Sequence, residues 1–298
     1  MDSPIELPNG RLACGRHGLS VCGICCVDYT FMDDEDPDLP GELDMLSYQG
    51  GTVVDAQDRP GPGSFRQNVP FIVAQPRPMR DLGCFRGNGR VYPSKFVPPS
   101  PTSTPNELFP PGRGINRFLR LDNPDELLIF TDGSCLDNGR SSPRAGWAFV
   151  FKPNTPDGTH MASGRLEHYG PWGDYYEQTS NRAELRAVLA ALRFRAWFGE
   201  GFTKLVIATD SEYVSKGATE WLRGWIRNGW RTSNRGDVKN RDLWEALLGE
   251  FDRLEEFGLT VEFWKIPRLL NIEADRAANR AAMEEDRDDY GDVFGVMV

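Results

Sequence analysis

From about residue 125 onward the chain alternates strand-like and helix-like segments, and this alternation limits the fold more than any other feature. Apolar runs and alternating patterns predict strands in five segments: ELLIFTDGS, AGWAFVFKP, MASGRLEHYG, KLVIATD and LTVEFWKI. The first three predicted strands follow one another, and the last two are separated by helical segments. This order predicts one layered α/β domain.

The segments between and after the later strands have helical periodicity. In the first of them, apolar residues share one helical face: Leu185, Val188, Leu189 and Leu192. Ser211 and Thr219 are suited to the N-caps of two further helices, and Gly229 is suited to the C-terminal end of the second. A long amphipathic helix follows, and Asn271 is suited to cap the last one.

Composition divides the chain into four regions. Residues 1–30 are rich in cysteine, and residues 31–122 are dense in Pro, Gly and Asp, which predicts a mostly irregular linker. The α/β domain is expected at 123–286, and the acidic residues 287–298 predict a loose tail. The expected architecture is therefore an α/β domain preceded by a largely irregular N-terminal region.

The overall composition excludes some classes of protein. Charged residues make up 26% of the chain and hydrophobic residues 39%, which is ordinary for a soluble protein. No apolar run approaches the roughly 20 residues that cross a bilayer, so no membrane contact is expected. The first residues show no secretory or mitochondrial signal, and a nuclear or cytoplasmic location is expected. The net charge of −10 weighs against nucleic-acid binding, unless local charge overrides it.

Four acidic residues occupy the positions where α/β sheets build their sites. Asp132 and Asp210 end predicted strands, whereas Glu184 and Asp275 fall in the first turns of predicted helices. If they converge, they repel one another unless cations neutralise them, and hard oxygen ligands suit Mg²⁺ or Mn²⁺. Two such ions can activate a water molecule and stabilise the leaving oxygen of a phosphodiester. Turn, cap and helix-dipole roles are the alternative, and spacing alone leaves both open.

Motifs around these acids resemble the type 1 ribonuclease H family, in the order and at spacings compatible with that family: TDGSC at 131–135 with Asn138, SNRAEL at 180–185, TDSEYV at 209–214, and EADRAA at 273–278. The resemblance covers about residues 125–285. It implies a ribonuclease H-like fold, a five-stranded mixed sheet with its first three strands antiparallel and helices on both faces. It also implies an endonuclease that hydrolyses the RNA strand of RNA–DNA hybrids.

The same resemblance implies roles for individual residues. The four acids match the family's catalytic acids, which hold two ions of Mg²⁺ or Mn²⁺: Asp132, Glu184, Asp210 and Asp275. Three residues match positions that touch the hybrid near its minor groove, where ribose 2′-hydroxyls mark the RNA strand: Cys135, Asn138 and Asn181. Thr179 matches a position that holds a phosphate of the DNA strand.

Residues 221–241 form a basic stretch within this acidic chain. It contains six basic residues against the single acid Asp237: Arg223, Arg227, Arg231, Arg235, Lys239 and Arg241. This concentration of charge indicates a phosphate-facing surface, the alternative being a solvated helix face. Trp221 and Trp225, spaced i and i+4, are expected to pack inside. The family resemblance implies a protruding handle that grips the DNA strand, with Arg227, Arg231 and Trp230 in contact.

The cysteines of residues 1–30 form a separate pattern. Four soft ligands are spaced C-x₂-H-x₄-C-x₂-C and suit tetrahedral zinc: Cys14, His17, Cys22 and Cys25. A segment this small has no core, and a bound metal would explain how it folds. The alternatives are a reduced segment packed on the catalytic domain, or a knuckle that binds a protein partner.

The loop before the last helix departs from the family pattern. Type 1 members commonly carry a histidine there that helps the product phosphate leave, whereas residues 265–271 read KIPRLLN. The three histidines of the chain lie elsewhere: His17, His160 and His168. Arg268 is the candidate substitute, since it can hold a phosphate but cannot shuttle protons near neutral pH.

The sequence is compatible with three functions. The first is a monomeric hybrid endonuclease, whose cleavage is expected to survive in residues 120–290 alone. The second is a catalytically inactive ribonuclease H-like module that binds nucleic acid or protein. The third is a fragment of a retroelement polyprotein. Four intact acids and the lack of a polymerase motif favour the first.

Overall fold

The computed structural model describes residues 83–111, 117–154 and 160–295, together with a few residues between positions 5 and 28. In these stretches, no helix is long and apolar enough to cross a membrane.

The strands, numbered in chain order, are β1 (Ile5–Glu6), β2 (Leu12–Ala13), β3 (Val21–Cys22), β4 (Val27–Asp28), β5 (Ser94–Lys95), β6 (Phe118–Leu119), β7 (Glu126–Leu136), β8 (Arg144–Val150), β9 (Met161–Arg165), β10 (Lys204–Thr209) and β11 (Thr260–Lys265). Strands β7, β8 and β9 are antiparallel, and β10 lies parallel to both β7 and β11. This confirms the five-stranded mixed sheet. The short strands β5 and β6 extend it by pairing with β11 and β7.

The helices are α1 (Pro105–Leu108), α2 (Ser180–Arg193), α3 (Glu212–Lys216), α4 (Leu222–Arg227), α5 (Arg241–Glu256) and α6 (Ile272–Ala281). Two glycines show that helices cover both faces of the sheet. A Cβ atom on Gly133 of β7 would lie 2.1 Å from the Glu184 nitrogen of α2, and one on Gly146 of β8 would lie 2.3 Å from the Ala282 nitrogen at the end of α6. Only glycine permits either approach.

Alternate residues of the strands fill two separate cores. Leu127, Ile129 and Phe149 pack with α2 and α5 on one face. Leu128 and Val150 pack with α6 on the other. Because side chains alternate across a strand, the continuous apolar run in β7 serves both cores.

The helical region after β10 differs from the sequence prediction at one cap. Ser211 caps α3 as expected, since its hydroxyl accepts from the Val214 amide at 3.3 Å. Thr219 begins no helix: α3 runs into α4 through a π-helical turn, Gly217–Trp221, and the Thr219 hydroxyl donates to the Ser215 carbonyl. A threonine hydroxyl can donate to a carbonyl inside a helix, or it can accept from a free amide at the start of one. The sequence alone does not distinguish these two roles. Gly229 follows the helix with φ of 66°, as its predicted role requires.

Residues 83–111, which we call the N-terminal strap, lie within the predicted linker but pack on the α/β domain. A Cβ on Gly87 would lie 2.2 Å from the Leu248 carbonyl carbon, and one on Gly249 would lie 2.2 Å from the Phe85 oxygen. The strap then supplies β5 and buries Phe96, whose ring centroid lies 4.7 Å from that of Trp264. The strap is mostly irregular in secondary structure, as predicted, but it packs on the domain instead of linking two regions, because these few apolar and glycine residues fit surfaces formed by distant parts of the chain.

The C-terminal tail, predicted to be loose from residue 287, is packed through residue 295. The Arg287 carbonyl accepts from the His168 amide at 3.0 Å, and the Gly295 amide donates to the Phe194 carbonyl at 2.8 Å. Asp292 pairs with the buried Arg193 at 2.6 Å. The acidic composition that suggested a solvated tail instead complements arginines of α2.

Candidate active site

The four acids lie at one edge of the sheet. Strand β7 does not end at Asp132 as predicted. It continues to Leu136 along β8, but its parallel pairing with β10 stops at Phe130. Asp132 therefore lies just beyond the paired part, where Asp210 also leaves the end of β10. Glu184 is the fifth residue of α2, one turn later than predicted, and Asp275 lies in the first turn of α6.

Asn271 connects two of these acids. Its side-chain amide donates to Asp210 Oδ1 at 2.7 Å, to the Thr131 carbonyl at 2.9 Å and, more weakly, to Asp132 Oδ1 at 3.5 Å. It occupies the predicted N-cap position of α6, but its side chain makes no capping bond. The sequence pattern located Asn271 as a cap and missed its contact with the acids.

Asp275 is held by two neighbours. Arg268 forms an ion pair with Asp275 Oδ1, and its Nε lies 3.9 Å from Asp210 Oδ2. On the other side, Asn279 donates to Asp275 Oδ2 at 3.2 Å and accepts from the Ser134 hydroxyl at 2.8 Å. Asn279 was not predicted, although its place four residues after Asp275 on a helix is a readable signal.

We call Asp132, Glu184, Asp210 and Asp275 the acid cluster. The acid cluster is electrostatically unfavourable by itself. Burial raises the pKa of Asp132 well above its usual range, and the charges of Glu184 and Asp210 raise it further. Burial and the Asp210 charge also raise the pKa of Glu184, while Arg268 opposes this shift. Like charges held together in a buried place favour either protonation or a bound cation.

The donor set fits a divalent cation. Glu184 Oε2 is buried and has no hydrogen-bond partner among the described residues, and a buried carboxylate oxygen without a partner is costly. The ligand atoms at this edge are carboxylate oxygens, which Mg²⁺ and Mn²⁺ prefer. Within the described ranges, no three acidic, cysteine or histidine side chains are already arranged as a closed metal site. Instead, Asn271 bridges Asp132 and Asp210, and Arg268 bridges Asp210 and Asp275.

Three of the four predicted hybrid contacts lie near the N-terminus of α2. The Asn138 amide donates to the Ser180 hydroxyl at 3.0 Å, which joins the loop after β7 to this helix. Thr179 caps the helix by accepting from the Arg182 amide at 3.2 Å, and Asn181 is half-buried beside it. Cys135, paired with Ala145 of β8, is completely buried in the core, and Asn138 is also buried, at 4% exposure. Contact of Cys135 with the hybrid stays a prediction.

The basic handle is exposed. All six predicted basic residues lie at the surface: Arg223, Arg227, Arg231, Arg235, Lys239 and Arg241. Trp221 and Trp225 are buried at 9% and 7% exposure, which confirms that they pack inside. Trp230 is half-buried, and the Arg241 guanidinium lies 5.2 Å from the centre of its ring. The handle therefore presents cations outward around a tryptophan core.

The predicted zinc ligands are not placed by the structure. Cys14, His17 and Cys25 lie outside the described residues, as does the side chain of Cys22. The other two histidines are away from the acids: the His160 carbonyl pairs with the Phe151 amide, and His168 stacks on Tyr175 at 5.7 Å. Arg268 is accordingly the basic side chain that contacts the acid cluster from the loop where the family commonly has a histidine.

Comparison with known proteins gives sequence matches over the α/β domain. The sequence model of the RNase H family matches residues 124–283, more than half of the chain. A ribonuclease H of Treponema pallidum is 40% identical over 132 residues, which are 43% of this chain and 74% of that protein. Ribonuclease H1 of Homo sapiens is 32% identical over 166 residues, 54% of this chain and 52% of that protein. A crystal structure of LC9-RNase H1, described as a type 1 RNase H with the type 2 active-site motif, is 23% identical, covers 53% of this chain and 72% of its own, and has a TM-score of 0.37.

Proposed function

This chain belongs to the ribonuclease H family and is a ribonuclease H enzyme, and we propose that it cuts the RNA strand of RNA–DNA hybrids with two divalent metal ions held by its acid cluster. The observation that supports the metal most directly is the buried Glu184 carboxylate, which has a raised pKa and an oxygen without a partner among the described residues. When bound, Mg²⁺ or Mn²⁺ supplies an activated water and neutralises charge on the phosphodiester.

The residues of the chain have distinct tasks in this proposal. Asp132 and Asp210, brought together just beyond the point where the parallel pairing of β7 with β10 ends, would hold the metal nearest the attacking water. Glu184 and Asp275 approach from helices on opposite faces of the sheet and complete the donor set. Asn271 keeps Asp132 and Asp210 aligned through its amide hydrogens.

Substrate recognition is proposed at two places. Asn138, Asn181 and Thr179 surround the start of α2, where polar side chains can meet the hybrid's minor groove and a DNA phosphate. Arg227 and Arg231 lie exposed on the handle beside Trp230 and can bind phosphates of the DNA strand. The local positive charge of the handle offsets the acidic character of the whole chain.

A cleavage assay tests this proposal. The full chain is incubated with an RNA–DNA hybrid labelled on either strand, in Mg²⁺, in Mn²⁺ and with a chelator. We expect metal-dependent cuts in the RNA strand only, with single-stranded RNA and duplex DNA left intact. Hybrid binding without cleavage in either metal would contradict the proposal and support an inactive binding module.

A further inference from the structure

Arg268 occupies the acid cluster from the loop between β11 and α6. Its guanidinium pairs with Asp275 and lies 3.9 Å from Asp210, so it contacts two carboxylates of the cluster. Its charge also lowers the pKa of Glu184 against the effects of burial and Asp210. A guanidinium stays charged throughout the neutral range, so it neutralises part of the cluster at every working pH.

The carboxylates that Arg268 contacts are ones that the proposed metal needs. An oxygen that accepts a strong ion pair from a guanidinium is less available to a divalent cation, because both positive groups compete for the same electron pairs and repel each other. Occupation by Arg268 and occupation by metal are therefore alternative ways to neutralise Asp275 and Asp210.

The loop allows Arg268 to leave without disturbing the core. None of the residues in its 3₁₀ turn, Arg268–Leu270, is buried, and the Arg268 side chain is 25% exposed. The flanking residues Ile266 and Asn271 are both 1% exposed and anchor the loop on either side. A rotation confined to this turn can move the guanidinium outward while Asn271 remains on the acids.

We propose that Arg268 is an internal counter-cation that holds Asp275 and Asp210 together before metal binds, and that the divalent ions displace it. This inference rests on the proposed function in one respect, namely that the acid cluster binds metal. In this role Arg268 is a positioning residue, and its guanidinium leaves the carboxylates when metal binds.

Calorimetric titration of the full chain with Mn²⁺ alone tests the exchange. Because Arg268→Ala removes the competing cation, we expect it to bind Mn²⁺ about fivefold to tenfold more tightly than the unchanged chain. Arg268→Gln, which keeps most of the side-chain volume, should show the same direction. Lys265→Ala is the matched control, since Lys265 carries the same charge at the end of β11 and also lowers the pKa of Glu184, but its side chain is exposed. It should change affinity less than twofold. Loss of the heat of Mn²⁺ binding in Asp132→Asn would show that the titrated ion binds at the acid cluster.

A second measurement covers the case in which a variant folds poorly. In chelator, Arg268→Ala and Arg268→Gln should melt at lower temperature than the unchanged chain, and added Mn²⁺ should raise their Tm by more. Equal or weaker Mn²⁺ affinity in both variants would overturn the inference, and weaker affinity would show that Arg268 supports the bound metal. Tighter binding in the variants with no hybrid cleavage by the unchanged chain would instead contradict the proposed function alone.

Discussion

Helix α2 carries two kinds of buried charge, and their difference separates what holds this fold from what the reaction requires. Near its start, Glu184 joins acids that repel it and keeps an oxygen without a partner among the described residues. Near its end, Arg193 is matched by Glu250 of α5 and by Asp292 of the tail. The matched charges join parts of the chain, whereas the unmatched acids are stable together only with a cation.

The largest effect is expected from Asp132→Asn, which removes one unmatched charge without changing the shape of the side chain. Cleavage should fall by about 10³-fold or more, because each 1.4 kcal/mol of lost metal-dependent stabilisation costs about a factor of ten. Hybrid binding and stability in chelator should be kept, since a repelling buried charge is gone. Asp137→Asn, at an exposed residue five positions later, is the control and should cleave normally. Near-normal cleavage by Asp132→Asn would show that Asp132 is not a catalytic residue.

Removal of the strap should affect stability rather than chemistry. A chain that begins at residue 120 loses Phe96 and Phe109 from their contacts with Trp264, and we expect it to be less stable by at least about 3–5 kcal/mol. A chain that begins at residue 83 keeps these contacts and should be the more stable of the two shortened chains in urea unfolding. Both should cleave hybrid where they are folded, because the acid cluster lies downstream. Equal stability of the two shortened chains would show that the strap is not part of the domain.

Arg193→Met breaks the matched cluster of α2. It leaves Glu250 and Asp292 without this partner in a buried place, so a loss of about 3 kcal/mol in the free energy of unfolding is expected, with kcat unchanged. Arg140→Met serves as the control, because Arg140 pairs with Asp137 at the surface and should contribute less than about 1 kcal/mol. If Arg193→Met lowered kcat and left the free energy of unfolding unchanged, the assignment of Arg193 to stability and not to catalysis would be wrong.

The handle is expected to contribute to binding alone. Reversal of charge at Arg227 and Arg231 to Glu should weaken hybrid binding and reduce the slope of log K against log salt by about two, since each lost phosphate contact releases about 0.9 counterion less. Arg280→Glu, exposed on α6, should leave the slope unchanged. An unaltered slope in the double variant would indicate that the handle is a solvated helix face that does not bind phosphates.

The smallest effect on cleavage concerns the cysteines upstream. We propose that residues 1–30 hold about one zinc per chain, which is lost when Cys22 and Cys25 become Ser but not when Cys84 becomes Ser. Elemental analysis of reduced protein measures this, and cleavage should not change, because no predicted catalytic acid lies there. Absence of zinc from the unchanged chain would favour a reduced segment instead.

The positions of Asp132 and Asp210 could be predicted because each follows from a local pattern. An apolar run that ends in TDG places Asp132 where a strand emerges from the core, and KLVIATD does the same for Asp210. Parallel strands that share a sheet bring such ends together, and the family motifs identified the acids on the helices. The same local patterns indicated the five strands and the buried tryptophans of the handle.

Other features of the site and the fold depended on contacts between distant residues. The sequence showed Asn271 as a helix cap and Arg268 as a loop residue, but only packing of α6 against β7 directs both into the acid cluster. The strap looked irregular because short sequences with few apolar residues carry no period, yet Arg86 pairs with Glu245, which is 159 positions later in the chain. A periodic pattern indicates that a segment forms a helix or strand with one apolar face to bury. A segment that packs on a surface formed by the rest of the domain needs only a few apolar side chains at the right positions, and these leave no periodic pattern.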